Sequence, residues 1–275
     1  MPVHPNDLET RLLLEAIFER YHYDFRAYAM ASLKRRLSQA CDRLGCPTLS
    51  RLQEKVLHEP ETFGALLQYL TIQVSDMFRD PAFFRAMRTQ VVPILKTYPS
   101  VKLWIAGCST GEEAYSMAIL LHEEGLLERA ILYATDINAH SLRSAESGIF
   151  KLARMRQFTE NHRRSGGRSS LSDYYHAAGD AAVMDTALRR KITFSDHSLA
   201  TDSVFSEVQL VSCRNVLIYF NPELQARALR LFDDALCNRG FLGLGSQESL
   251  RFSAVAGRFT EYCAAERIYR KGPSA

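Results

Sequence analysis

The residues with the most specific chemistry in this chain are two glycines, two adjacent glutamates and one aspartate further on. Gly107-Cys-Ser-Thr-Gly111 runs directly into Glu112-Glu113, and Asp136 follows 25 positions after Gly111. A carboxylate at the end of a second strand, beyond a glycine turn, is placed to accept hydrogen bonds from the hydroxyls of a ribose. The turn itself argues against two common nucleotide sites. A dinucleotide fingerprint needs G-x-G-x-x-G and a P-loop needs Gly-Lys-Ser/Thr; here three residues separate the glycines, and Gly111 precedes two acids. Carboxylates at a helix N-terminus suit the helix dipole but repel phosphate. The pattern favours a cationic nucleoside without phosphate, and S-adenosylmethionine, with its sulfonium and amino groups, fits that description. The competing reading is a plain strand-turn-helix whose glutamates only cap the helix.

Strands and helices must hold these groups in place. Residues 103–106 are a short apolar run, 113–122 carry helical spacing in Tyr115, Met117, Ala118 and Leu121, and 130–135 supply a second strand before Asp136. Residues 85–98 predict a helix ending near Pro99, and 138–148 another stopped by Gly148. Residues 149–170 are basic and lack a clear period. Short strands at 174–176, 182–184 and 191–194, with a turn at Gly179-Asp180, predict a small β insertion. Residues 208–213 are nearly all apolar, as a central buried strand should be, and end in Arg214-Asn215. Asn221 is a natural N-cap and Pro222 a natural first helical residue for a helix over 224–236 that stops near Gly240. Residues 241–244 and 261–270 give the last strand material. Strands alternating with helices predict an α/β fold with a mainly parallel sheet covered on both faces.

Residues 7–70 read as helices throughout. Leu8, Leu12, Ile17 and Phe18 mark the first; Ala29, Leu33, Leu37, Ala40 and Leu44 the second; two more follow around Pro60. The second helix carries Lys34, Arg35, Arg36 and Arg43 off its apolar stripe. They form either a solvated face or a docking surface for an acidic helix, which would use such charges for steering and register. The stretch 70–84 mixes β-branched residues, an arginine and several aromatics. It is too aromatic for a simple linker and is expected to pack against the cofactor site.

A length of 275 residues suits one large or two modest domains. The net charge of +3 is too small to argue for nucleic acid. Six cysteines without C-x-x-C or a matching histidine pair point to reduced, mostly buried thiols, and no metal site is expected. No apolar run approaches the ~20 residues needed to span a bilayer, and no signal-peptide core stands at the N-terminus. The expectation is a cytoplasmic protein without membrane insertion, and a monomer.

Four blocks, Val74-Ser-Asp-Met-Phe-Arg-Asp-Pro81, Gly107-Cys-Ser-Thr-Gly-Glu-Glu113, Ala134-Thr-Asp-Ile-Asn138 and Cys213-Arg-Asn-Val-Leu-Ile-Tyr-Phe220, closely resemble the CheR family, together with Leu244-Gly-Ser-Gln-Glu-Ser249 and the terminal Ile268-Tyr-Arg-Lys271. These are chemotaxis-receptor glutamate O-methyltransferases that use S-adenosylmethionine and release S-adenosylhomocysteine. The resemblance implies an all-α N-terminal domain (1–72), an interdomain segment (73–84) and a Rossmann-like methyltransferase domain (85–275) with a small β-subdomain inserted at about 171–192. It also implies that Glu113 holds a polar end of the cofactor and Asp136 its ribose. Ser198, Leu199, Arg214 and Asn215 would line the adenosine and reaction centre, and Gln73, Ser75 and Arg79 would close the site. Arg79 and Tyr219 are the candidates for orienting carboxylates, since a guanidinium matches a carboxylate bidentately and a phenol donates one hydrogen bond. The implied partner is the cytoplasmic domain of methyl-accepting chemotaxis receptors, docked through Lys34, Arg35, Arg36 and Arg43. The family usually has Asn and Thr where this chain has Gln73 and Ser75, and often Asn at Ser198. Gln73 keeps open an alternative from another class, a cofactor-binding regulatory module with weakened catalysis. Nucleic-acid or small-molecule methylation is disfavoured, because no Asn-Pro-Pro-Tyr-like loop is present.

Overall fold

The computed structural model describes residues 4–71, 73, 75–251 and 253–273. Ile72 and Val74, which fall in the aromatic stretch noted above, lie outside the described residues.

Four helices form the N-terminal unit: α1 (Pro5–Tyr21), α2 (Met30–Leu44), α3 (Leu49–His58) and α4 (Pro60–Leu70). Gly45 ends α2 in the left-handed region, and Thr48 begins α3 by accepting the Arg51 amide at 3.2 Å. Their core joins Leu13, Leu14 and Ile17 of α1 to Leu33, Leu37, Leu52, Val56, Leu66 and Leu70. The face of α1 differs from the sequence expectation. Leu12 is 47% exposed and Leu8 39%, whereas the neighbouring Leu13 is fully buried. In a Leu12-Leu13-Leu14 run, periodicity alone allows more than one stripe, and packing against α3 selects Leu13, Leu14 and Ile17.

A helical run then covers 81–95: α5 (Pro81–Ala86), a π turn (Met87–Val91) and α6 (Val92–Leu95). It starts earlier than the expected residue 85, because Pro81 occupies the first turn, where a missing N–H costs nothing. The elements β1 (Val101–Ala106), α7 (Glu112–Glu123), β2 (Ala130–Asp136), α8 (Ala139–Ser147) and β3 (Ile149–Lys151) follow. Next come α9 (Met155–Arg164), β4 (Tyr175–Ala178), β5 (Ala181–Met184), α10 (Thr186–Arg189) and β6 (Ile192–Asp196). The chain ends with β7 (Val208–Cys213), α11 (Pro222–Ala235), β8 (Leu236–Leu244), β9 (Phe259–Cys263) and β10 (Ile268–Lys271).

Seven strands make the main sheet, in the order β6-β2-β1-β7-β8-β10-β9. The first five are parallel, and β10 runs antiparallel to both neighbours. Three sequence expectations need correction. The 191–194 segment belongs to this sheet, as β6 beside β2, and not to the insertion. The small sheet takes its third strand from β3 instead, in the order β3-β5-β4, and three residues are too few to show a period. The stretch 149–170, read as unpatterned, also contains α9. That helix buries Met155, Phe158, Asn161 and His162, so polar residues occupy half of its inward face and hide its periodicity. Finally, α11 ends at Ala235 and β8 starts at once, leaving Gly240 inside a strand.

Among the described residues, no helix is long and apolar enough to cross a membrane. Leu13→Ala should lower the unfolding free energy by about 2–5 kcal/mol through the cavity it leaves. Leu12→Ala, one residue away, should stay within about 0.5 kcal/mol. Urea denaturation of the two variants checks the assigned face, and equal losses would return Leu12 to the core.

Candidate functional site

The carboxyl ends of β2, β1 and β7 open onto a cavity of about 920 Å³, counting the part continuous with solvent. Ligands bind at this edge of open parallel sheets. Two loops make its floor. Gly107 has φ +75°, and a Cβ there would lie 2.5 Å from a methyl of Val216, so the loops after β1 and β7 approach as only glycine allows.

Asp136 ends β2 as expected. Its carboxylate accepts the Ser109 amide at 2.8 Å and the Asn138 amide at 2.9 Å. Burial pushes its pKa above the ordinary value, and those N–H bonds oppose the shift. Each carboxylate oxygen has a second lone pair, which leaves acceptor capacity for a diol. The two glutamates of α7 have different surroundings. Glu113 faces the cavity, accepting the Ser212 hydroxyl at 2.6 Å and an Arg214 Nη at 3.1 Å. Glu112 is fully buried outside the cavity wall, paired with Arg154 at 2.8 Å and accepting the Thr110 hydroxyl at 2.7 Å. Burial raises its pKa, while these partners lower it.

Arg214 bonds Asp80 at 2.7 Å and the Arg79 carbonyl at 3.1 Å, besides Glu113, and its guanidinium lies over Phe83 at 4.1 Å. Ser75, Arg79, Ser198, Leu199, Asn215 and Tyr219 join Glu113, Asp136 and Arg214 in the cavity wall. Gln73 does not line it; its amide nitrogen is buried without a partner among the described residues. The basic helix also needs correction. Arg36 is 5% exposed, bonds Ser32 and the Leu70 carbonyl, and lines the cavity with its guanidinium 5.3 Å from the Tyr219 ring centre. It belongs to no outer docking face, because α2 turns this position inward beside Leu33 and Leu37. Lys34 pairs with Asp7, while Arg35 and Arg43 remain exposed.

Sequence reasoning placed three groups of residues outside the cavity wall or the loops that form it. Tyr28 and Arg36 bring the helical unit into the cavity wall, along with Leu70 and Thr71. His197 lines the cavity with Nε2 on the Ser203 carbonyl at 3.1 Å and a buried Nδ1 that has no partner among the described residues. Glu248 accepts the amides of Asn215 (3.0 Å), Val216 (2.8 Å) and Gly245 (2.6 Å). Glu248 left a trace in the sequence as part of the Leu244–Ser249 block, and Arg36 as one of the basic set on the second helix. The donor set fits S-adenosylmethionine: two cavity-facing carboxylates suit hydroxyls and an ammonium.

Residues 73–263 match the family described as CheR methyltransferase, SAM binding domain, and residues 8–71 match CheR methyltransferase, all-alpha domain. A protein of Pseudomonas putida named "Putative methyltransferase Cher3" is 62% identical over 96% of this chain and 97% of its own length. A "Chemotaxis protein methyltransferase" of Listeria innocua is 28% identical over 86% of this chain and 88% of its own. The "Chemotaxis protein methyltransferase 1" of Vibrio cholerae is 29% identical over 82% of each.

A carboxylate accepts from hydroxyls best when ionised, so if Asp136 holds the ribose, S-adenosylhomocysteine affinity should fall as pH is lowered from 7 toward its raised pKa. Asp136→Asn should weaken binding at pH 7 by about 1.5–3 kcal/mol, the range for hydrogen bonds to charged groups, and remove most of the pH dependence. Calorimetry across pH 5–8 measures both, and a folded Asp136→Asn variant with normal affinity would exclude this acid from the site.

Proposed function

Because the chain belongs to the CheR methyltransferase family and carries its S-adenosylmethionine-binding domain, we propose that it methylates glutamate side chains on the cytoplasmic domain of a chemoreceptor. The product would be a glutamate methyl ester, and the role adaptation in a chemotaxis-type pathway within the cytoplasm. The observation that carries this reading is the composition of one cavity. Carboxylates suited to the cofactor (Glu113, Asp136) and groups suited to a carboxylate (Arg79, Tyr219) line the same space.

Bound S-adenosylmethionine supplies an electrophilic methyl group on a sulfonium. A glutamate acceptor has an unperturbed pKa near ~4.3, so it reaches the site already ionised and requires no general base. No cavity residue is assigned a proton. The chain's work is to align donor and acceptor and to keep water out of a step in which opposite charges cancel. Glu113 and Asp136 would hold the donor, Ser198, Leu199, Arg214 and Asn215 would complete its surroundings, and Ser75 and Arg79 would close the site. Arg79 and Tyr219 turn the carboxylate toward the methyl.

The test is transfer of base-labile methyl groups from labelled S-adenosylmethionine to receptor-containing membranes. Intact cofactor binding with no methylated receptor would leave a binding module in place of an enzyme. Steering would rest on Arg35 and Arg43, the exposed members of the basic set. Reversing both to Glu should raise the KM for receptor and flatten its salt dependence, since rim charges act over about 8–10 Å at physiological salt. S-adenosylhomocysteine affinity should not change. A double variant with normal KM and salt profile would reduce this helix to a solvated face.

A further inference from the structure

The cavity contains a phenol that none of the roles above uses. Tyr28 lies in the loop between α1 and α2, and its backbone is fixed against the loop after β7: it bridges Phe220, and the neighbouring Ala29 amide bonds the Tyr219 carbonyl at 2.8 Å. Asn221 donates back to the Ala27 carbonyl at 2.9 Å. The Tyr28 ring meets Phe25 and Phe220 edge-on, each at 5.0 Å, so its direction is set by packing. Its hydroxyl makes no hydrogen bond among the described residues, and neither does that of Tyr219. Both residues line the cavity, and neither hydroxyl is among the buried polar atoms left without a partner among the described residues, so each can donate to what enters.

The neighbours indicate what arrives. Both phenols lie within electrostatic reach of the Arg36 guanidinium, which uses three of its five N–H groups on Ser32 and Leu70. Burial pushes the Tyr28 pKa up, so the hydroxyl remains a donor at neutral pH. Two phenolic O–H donors and a cation with N–H groups to spare make a receptor for an anion with several acceptor lone pairs. Asp136 also lies within electrostatic reach of Tyr28, so a dianionic phosphate is repelled more than a singly charged carboxylate. The amino-acid end of the donor is expected beside Glu113, where Arg214 joins it to the Arg79 backbone.

We propose that Tyr28 donates its hydroxyl to the methyl-accepting carboxylate, making the helical unit a contributor to the reaction centre and Tyr28 a determinant of glutamate over glutamine. This rests on the glutamate-methyltransferase reading, and the experiment separates the two. S-adenosylhomocysteine-loaded protein is titrated with a receptor cytoplasmic fragment bearing glutamate, and separately glutamine, at the methylatable positions. Methyl transfer and thermal unfolding are measured on the same preparations. Wild type should bind the glutamate form at least tenfold more tightly. Y28F should lose most of that preference and at least tenfold in kcat/KM, with S-adenosylhomocysteine affinity within twofold and an unchanged melting temperature. Y28H, which keeps a ring donor, should recover part of the preference and carries the test should Y28F not fold. A Y28F variant that retains both preference and turnover overturns the assignment of Tyr28 while leaving the glutamate reading intact. A tenfold loss of S-adenosylhomocysteine affinity overturns it too, giving the phenol to the donor. Wild type without preference for glutamate removes the glutamate reading, and the role of Tyr28 with it.

Discussion

The arrangement of the cavity depends on one buried cation. The Arg214 side chain is 2% exposed, in an interior where an isolated ion would be very costly. It is tolerable because Glu113 and Asp80 both pair with it and Phe83 presents its ring face. These partners come from three places: the first turn of α7, the segment entering α5, and α5 itself. Satisfying one guanidinium therefore fixes the end of β7, the cavity acid and the approach from the helical unit relative to one another. Removing a partner from such a pair is strongly destabilising, because the remaining charge has nowhere to go.

Two further carboxylates act differently, holding loops through backbone N–H groups without a cation. Asp136 receives Ser109 and Asn138, and Glu248 receives Asn215, Val216 and Gly245. Ser109 and Asn215 have φ of +50° and +61°, a region that disfavours side chains. Each sits where its own amide donates to one of these acids, so the hydrogen bonds offset the backbone strain. The loops on either side of the cavity are thus rigid for the same physical reason.

Much of this could be read in the sequence because the features are local. The glycine turn, the acid at the end of β2, the apolar β7 and the Asn221-Pro222 helix start each declare themselves within a few residues. What was not legible depends on tertiary choice. Arg36 reads as one of four surface charges until α2 is rotated against α4. Glu112 and Glu113 are indistinguishable until Arg154 claims one of them. Tyr28 stands almost two hundred residues from Phe220, and no local pattern announces their pairing. The placement of β6 in the large sheet was missed for a related reason: parallel partners are chosen by distant strands, and a short edge strand has little composition of its own.

The pairing of the α1–α2 loop with the loop after β7 also bears on how such a molecule could diversify. One side of the cavity is built on the sheet, where its acids, glycine turn and buried arginine constrain one another tightly. The other side comes from Tyr28, Arg36, Leu70 and Thr71, which belong to a bundle with its own separate core. Changes in that bundle can reshape what enters the cavity while leaving the donor's half intact. Duplicated copies of such a gene would be free to drift toward different clients through one domain, keeping a common chemistry in the other.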